Sequence, residues 1–334
     1  MPQKLRWGIM GTASFAEWLI GPIRRAMRSE LVAVASRDPA RAEAYAGQHA
    51  IPKAHGSYEA LLADVQVDAI YMPLPNSLHC KWAVKAAQAG KHVLCEKPLV
   101  TSLSEWDKLH AAAASAKVVI FEALASLHHP QTARLKQMVQ SGQLGQIRLI
   151  VGWELYCMPP EMRANFRFDP RMGGGSLWDG GVYPNSLAIM VLGAGAPVQV
   201  WASMVQAESG VDVAMAGQMR FANGVMVQIA SGFESPDFRR VHIVGTQGAL
   251  EILTPSAHEG TGTRPTCMIL SKPDGSHETI TIPAYDAYQA EVEAMEACVL
   301  DHAEPVVPLE LSREFLRSVL ALYESAATGR AVRL

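Results

Sequence analysis

Short apolar runs alternating with longer, helix-compatible segments set the pattern of the first third of the chain. Leu5 to Met10, Leu31 to Ser36, Ala69 to Met72, His92 to Cys95 and Val118 to Phe121 are rich in β-branched or other apolar residues. Runs of this length separated by helical sequence are the βαβ signature of a parallel sheet. The spacing predicts helices over Pro39–His49, where proline suits a first turn, over His79–Ala89, and over Ser104–Ser115, with Ser102 or Ser104 available as N-cap. Pro22 is expected to break the first helix. A further helix is predicted around Gln131–Ser141.

From Gln146 onward the period shortens to two, which predicts long strands. Asn223-Gly224, between Val211–Phe221 and Val225–Ser231, signals a hairpin because both residues tolerate the positive φ of a type I′ turn. Strand-like runs follow at Arg240–Val244, Ala249–Leu253, Cys267–Leu270 and Thr279–Ile282, and helices near Tyr288–Leu300 and Ser312–Ala327 close the pattern. The second part therefore reads as a mostly antiparallel sheet with helices. Gly180 to Ala207 carries no charge, yet Pro184, Asn185 and Gly193-Ala194-Gly195-Ala196-Pro197 interrupt it. It is read as buried helix, turn and strand rather than as a membrane span.

Composition narrows the function classes. A length of 334 residues suits two domains. Charged residues are 18% and apolar ones 49%, which leaves room for a large buried fraction and a buried subunit interface. With 29 basic and 32 acidic residues the formal charge is −3, and no Lys/Arg run exceeds two residues, so a polynucleotide partner is disfavoured. Cys80, Cys95, Cys157, Cys267 and Cys298 form no C-x-x-C pair, which argues against a disulfide framework or zinc site and for a reducing cytoplasm. The first residues lack the pattern of a secretory signal. No metal is predicted: adjacent His128 and His129 diverge, and no third ligand stands at useful spacing.

Candidate chemistry gathers at the ends of the predicted strands, where open α/β sheets bind ligands. The first strand runs into Gly11-Thr12-Ala13-Ser14-Phe15-Ala16, a degenerate G-x-G-x-x-G/A turn whose small residues let a pyrophosphate approach a helix N-terminus. The second ends in Ser36-Arg37-Asp38-Pro39-Ala40-Arg41, at the place where the ribose 2′ position is read. Ser36 with Arg37 and Arg41 suits a 2′-phosphate, which favours NADP over NAD; the competing reading has Arg41 solvated and Asp38 on the ribose. Next come Pro73, Leu74, Asn76 and His79 in an extended loop entering a helix, although His79 alone is more commonly a capping residue. Glu96-Lys97-Pro98 follows the fourth of these runs, and a cis bond at Pro98 would turn Lys97 inward.

These residues carry a resemblance. Gly11-x-Ala13, Pro75-Asn76-x-x-His79, the block Ala89-Gly90-Lys91-His92-Val93-Leu94-Cys95-Glu96-Lys97-Pro98, and the block Gly173-Gly174-Gly175-Ser176-Leu177-Trp178-Asp179-Gly180-Gly181-Val182-Tyr183 together resemble the glucose–fructose oxidoreductase, inositol dehydrogenase and rhizopine-catabolism (Gfo/Idh/MocA) family. The opening Arg6 to Gly11 is most similar to anhydrofructose reductases, many of which carry histidine where this chain has Tyr183. Tyrosine there resembles the branch with glucose–fructose oxidoreductase, dimeric dihydrodiol dehydrogenase and NADP-dependent xylose dehydrogenase. The resemblance spans essentially the whole chain. It implies a Rossmann domain over residues 1–122 and an α+β substrate-binding and oligomerisation domain over 123–334. It also implies hydride transfer between a nicotinamide and a sugar, polyol or cyclic diol, a homodimer or larger oligomer, and Lys97 with Tyr183 as the working pair.

The chemistry of those residue types agrees. Oxidising an alcohol needs a group that accepts the hydroxyl proton as hydride leaves, and reduction needs an acid at the same oxygen. A tyrosine does this at neutral pH only beside a cation. Lys97 is such a cation; alternatively Lys97 exchanges the proton and Tyr183 orients the oxygen. Glu96 either holds Lys97 or contacts the cofactor. Asp179 and Tyr183 are four residues apart, so a helix would place both on one face toward neighbouring substrate hydroxyls, with Pro184 starting or kinking that helix. Gly173-Gly174-Gly175 reads as a loop whose flexibility helps closure. Arg163 and Arg167 each read equally as a contact to a hydroxyl-rich or anionic substrate and as a solvated surface charge, with Arg167 the one kept as a weak substrate candidate. Two other classes compete: an NAD-dependent glycosidase of the same family, and a non-catalytic nucleotide- or sugar-binding regulator.

Overall fold

Strands β1 (Leu5–Met10), β2 (Ser29–Ala35), β3 (Lys53–His55), β4 (Ala69–Met72), β5 (His92–Glu96) and β6 (Ile120–Ala123) pair in the order β3-β2-β1-β4-β5-β6, every pairing parallel, in the computed structural model of the chain. The structure describes residues 4–252, 262 and 264–334. This is a Rossmann sheet, and its strand order reverses between β1 and β4. The connecting helices are α1 (Glu17–Arg25), α2 (Pro39–Gln48), α3 (Tyr58–Ala63), α4 (Asn76–Gln88) and α5 (Leu103–Ala116). Their starts follow from local chemistry: Asp38 accepts from the Ala40 amide at 3.0 Å, Ser57 from Ala60 at 3.1 Å, and Ser102, rather than Ser104, from Glu105 at 3.3 Å.

Pro22 does not break α1, which runs on to Arg25. The proline sits in its latter half, and burial of Leu19, Ile20 and Ile23 along one face outweighs the backbone bond that the ring removes.

The chain divides into two units, Met1–His128 with Tyr288–Leu309, and His129–Ala287 with Glu310–Leu334. A single cut near residue 122 misses this return, because the helix Ala287–Leu300 buries Val292, Met295 and Cys298 in the first unit's core with Trp7, Ile9, Tyr71 and Phe121. Burying each large apolar side chain contributes about 1.5–3 kcal/mol, enough to hold a segment distant in sequence.

In the second unit, β7 (Ile147–Cys157), β8 (Gln199–Gln206), β9 (Asp212–Arg220), β10 (Met226–Gly232), β11 (Glu234–Gly245), β12 (Ala249–Ile252), β13 (Thr266–Ser271), β14 (His277–Ile282) and β15 (Val332–Arg333) form a nine-stranded sheet among the described residues. Their order is β14-β13-β12-β11-β7-β10-β9-β8-β15, antiparallel except for β10 with β7. Leu253, expected to end β12, lies outside the described residues.

The β9–β10 hairpin forms as expected, but not through a type I′ turn. Gly224 has a φ of 83° whereas Asn223 keeps a negative φ, and the Gly224 amide donates to the Phe221 carbonyl at 3.0 Å. This is a type I turn ending on a left-handed glycine, which gives the loop one more residue than type I′. One face of the sheet is covered by the apolar helix Val182–Leu192, whose Pro184 lies on Gly152, and by the buried side of the amphipathic helix Leu309–Thr328, whose Leu322 lies on Gly217. The other leaves Trp201, Val205, Met226, Phe238 and Val244 exposed.

Candidate active site

The carboxyl ends of the Rossmann strands bring the dispersed sequence motifs to one edge. Gly11 leaves β1 with a φ of +116°, its amide donating to the Ala35 carbonyl at 2.9 Å. A Cβ there would stand 3.2 Å from Leu74 Cδ2, so the position needs glycine both for its conformation and for its closeness to the loop after β4. Thr12 and Phe15 are half-buried, Ala13 and Ser14 exposed, in the single turn Ser14–Ala16 that precedes α1. The small residues thus leave this turn open for a bulky anionic group beside a helix start, a donor set that fits a dinucleotide.

At the end of β2 the two readings of the ribose position separate. The Asp38 carboxylate accepts from Ala40 and Arg41 amides and caps α2. Arg41 donates to the Thr12 carbonyl at 3.2 Å, linking the β1 and β2 turns. Arg37 and Arg41 are exposed, and the buried Tyr58 phenol lies within reach of both charges. Burial raises the Tyr58 pKa while the two guanidiniums oppose that rise. Ser36 is buried, its hydroxyl accepting the Asp38 amide at 3.2 Å. Two cations thus flank the position, and the neighbouring carboxylate is committed to a helix cap, an arrangement that suits a phosphate.

The loop from Pro73 and the turn at Lys97–Pro98 are tied together by His79, which is fully buried. Its Nδ1 lies 2.8 Å from the Pro98 carbonyl and its Nε2 2.7 Å from the Leu74 carbonyl. Burial lowers the His79 pKa although both carbonyls favour the charged ring. The N-cap of α4 is Pro75, and Asn76 is buried in the first turn. His79 thus fixes one loop against the other. The Lys97–Pro98 bond is cis, and Lys97 is half-buried. Beneath it, Glu96 is buried and accepts from the Tyr71 hydroxyl at 2.7 Å.

In the second unit, Asp179 sits in a π-helical turn, Leu177–Gly181, that leads into the helix Val182–Leu192 carrying Tyr183 and Pro184. The wider turn changes the one-face geometry that a four-residue spacing gives in an α-helix. Asp179 Oδ2 accepts from Arg167 Nε at 2.7 Å and from the Tyr156 hydroxyl. Burial raises the Tyr156 pKa, and the Asp179 charge raises it further. Burial would lower that of Arg167, but Asp179 raises it, and the Tyr183 phenol lies within electrostatic reach of the same guanidinium. Arg163 instead pairs with Glu234 at the surface.

The glycine run is a close-packed segment rather than a hinge. A Cβ on Gly174 would strike the Arg167 carbonyl and stand 2.9 Å from that of Phe166. The Gly175 amide donates to the Arg167 carbonyl at 2.9 Å. Asp212, buried, accepts from Ser176 at 2.7 Å, from the Leu177 amide at 2.8 Å and from the Tyr323 hydroxyl at 2.7 Å, which anchors the start of the π turn. Burial raises its pKa against the pull of those donors.

Tyr58, Tyr71, Tyr156 and Asp212 escaped the sequence reading. Only Tyr156 left a trace, on the same face of β7 as Glu154 at period two. His128 and His129 do diverge: His129 accepts the Gln131 amide at 3.0 Å as a helix cap, while His128 is buried near Glu291. Among the described residues no group of three His, Cys, Asp or Glu could hold a metal ion. No helix there is long and apolar enough to cross a membrane.

A Rossmann sheet with a glycine turn at its switch point, followed by a broad antiparallel-sheet unit, defines a two-domain nucleotide-dependent oxidoreductase. The chain belongs to the Gfo/Idh/MocA family: residues 5–124 match the model "Oxidoreductase family, NAD-binding Rossmann fold" and residues 132–251 the "GFO/IDH/MocA C-terminal domain". It is 37% identical to D-xylose 1-dehydrogenase (NADP(+)) 2 of Haloferax volcanii over 99% of this chain and 100% of that protein. Among solved structures it resembles an aldose–aldose oxidoreductase from Caulobacter crescentus complexed with glycerol, with a TM-score of 0.89, 26% identity, and 99% and 100% of the two chains covered. It also resembles a 3-ketoreductase from Actinomadura kijaniata in complex with NADP and TDP-benzene, with a TM-score of 0.85, 30% identity and 98% of each chain covered.

Proposed function

We propose that this oxidoreductase uses NADP, in preference to NAD, to interconvert a secondary hydroxyl and a carbonyl on a sugar, polyol or cyclic diol, with Lys97 and Tyr183 exchanging the proton. The observation that carries the cofactor half is the Asp38 carboxylate capping α2 while Arg37 and Arg41 remain exposed beside Ser36. Similarity to an NADP-named xylose dehydrogenase and to a ketoreductase complexed with NADP supports it. Gly11, Thr12, Ala13, Ser14 and Phe15 would hold the pyrophosphate, Ser36, Arg37 and Arg41 the 2′-phosphate, and Pro73, Leu74, Asn76, Glu96, Lys97 and Pro98 the nicotinamide half. When bound, the cofactor supplies or takes up the hydride.

Lys97 carries its amine at the end of a strand in the nucleotide-binding unit, and Tyr183 a phenol near Arg167. A substrate oxygen that reaches both groups can lose its proton to the phenolate, or to the amine with the phenol orienting it. Arg167 and Asp179, locked to one another, offer a fixed donor–acceptor pair for neighbouring hydroxyls. The exposed apolar face of the second sheet supports a homodimer formed through it.

The test is turnover of a panel of sugars, polyols and cyclic diols with both cofactors, followed by reduced-nicotinamide absorbance. Lys97→Met should lower turnover ~10²-fold or more while nucleotide still binds. Tyr183→Phe should act similarly. Normal turnover in the lysine variant would remove the proton-transfer assignment, and sugar release without net cofactor reduction would favour the glycosidase reading.

A further inference from the structure

Behind Glu96 lies a buried polar pair that the proton-transfer scheme does not use. Glu291, on the helix Ala287–Leu300, is fully buried, and His128, at the end of the turn Ala125–His128, has a side chain that is 1% exposed. Glu291 Oε1 stands 3.9 Å from His128 Nε2, too far for a hydrogen bond. Among the described residues neither carboxyl oxygen and neither ring nitrogen has a hydrogen-bond partner. Such orphaned atoms are rare in protein interiors and call for an explanation.

The surroundings supply one. From β4, Tyr71 donates to Glu96, and both Tyr288 and Glu291 act electrostatically on Tyr71, so these four groups share one buried neighbourhood. From β6, Glu122 is engaged by the Leu99 amide at 3.0 Å, and Phe121 stacks on His128 at 5.9 Å. The Leu124 amide, next to Glu291, already donates to the Glu122 carbonyl at 2.9 Å. Two carboxyls in one dry pocket do not both ionise, and the proton settles on the one with fewer donors. Glu96 has the phenol of Tyr71.

We propose that Glu291 is held as a neutral acid beside a neutral His128, and that the pair positions Glu96: by keeping the proton on Glu291 it lets Glu96 stay anionic next to Lys97. The functional half rests on the reading of Lys97 as a proton-exchanging group. Burial first, and the Glu96 charge second, raise the Glu291 pKa well above the carboxylate range against the pull of the nearby Leu124 amide, whose 2.9 Å bond goes to the Glu122 carbonyl. Burial alone lowers that of His128 to about 4, so no imidazolium is at hand to hold a Glu291 carboxylate.

The experiment compares the unfolding equilibria of wild type and Glu291→Gln across pH. Free Glu291 ionises near 4.5, whereas the folded protein keeps the proton to a higher pH. Wild-type stability is therefore lost, relative to the variant, as pH rises from there to the folded pKa, about tenfold in the ratio of unfolding constants per pH unit. A ratio that stays flat, or falls with pH, would overturn the neutral acid. In a Glu96→Gln background the climb should end at lower pH, because one of the two causes is gone; an unchanged end point would break the link to Glu96. Should Glu291→Gln not fold, the wild type above pH 4.5, where a free glutamate ionises, must show a protonated-carboxyl stretch in its infrared spectrum, and its absence would sink the idea. None of these readouts needs turnover, so failure of the Lys97 assignment would be seen separately.

Discussion

Arg37 and Asp38 are neighbours with opposite charges, and only their surroundings decide which one a ribose would meet. The Asp38 carboxylate is taken by the amides of Ala40 and Arg41, so its negative charge serves the helix. Arg37→Ala should therefore weaken NADP about tenfold or more, since a charge-assisted hydrogen bond is worth about 1.5–3 kcal/mol, and should leave NAD little changed. Fluorescence titration with each nucleotide checks this, and equal losses would remove the 2′-phosphate argument. At the same scale, His79 shows how a motif residue serves without an available polar atom. Both ring nitrogens are spent on carbonyls, so whatever it contributes to cofactor binding comes through the two loops it joins.

The elements around Tyr183 owe their shape to side chains that the chain brings from elsewhere. A π turn at Leu177–Gly181 is held at its start by Asp212, from β9, and at its middle by Arg167 through Asp179. Gly174 lets this segment lie directly on the backbone of Phe166 and Arg167. Gly174→Ala should cost about 1–3 kcal/mol, the range for overpacking a filled site, because the obstacle is backbone and cannot rotate away. Urea unfolding reads that loss, and a midpoint equal to wild type would restore the flexible-loop view. The same reasoning explains the β9–β10 turn. Asn-Gly permits type I′ but does not require it, and the alignment of Phe221 with Val225 sets a loop of three residues.

Over the whole molecule, the second sheet presents an uncovered apolar face. On β8, Trp201 is 49% and Val205 61% exposed, and further across the same sheet Met226 on β10 and Phe238 on β11 are exposed. Apolar groups gathered in this way are covered by a partner surface in most soluble proteins. Trp201→Glu should shift the assembly toward monomer in sedimentation or light scattering while leaving the fold intact by circular dichroism. A wild type that is monomeric at every concentration would sink the homodimer.

Much of the fold was legible because its signals are local. Strand runs, N-caps and the glycine turn each act within a few residues, so β1, β4, β5 and the helices α2, α4 and α5 could be placed from pattern alone, as could Lys97 at a strand end, whereas the short β3 and α3 could not. The return of Tyr288–Leu309 to the first unit, the persistence of α1 through Pro22 and the π turn before Tyr183 were not legible, since each depends on what packs against it. By itself the sequence determined the Rossmann edge and the identity of the groups along it. Tertiary structure alone decided their state. Arg167, Asp179 and Tyr156 meet from three separate segments, and Glu291 and His128 from two, and the burial of these groups, which no linear pattern records, bears on which of them carries charge.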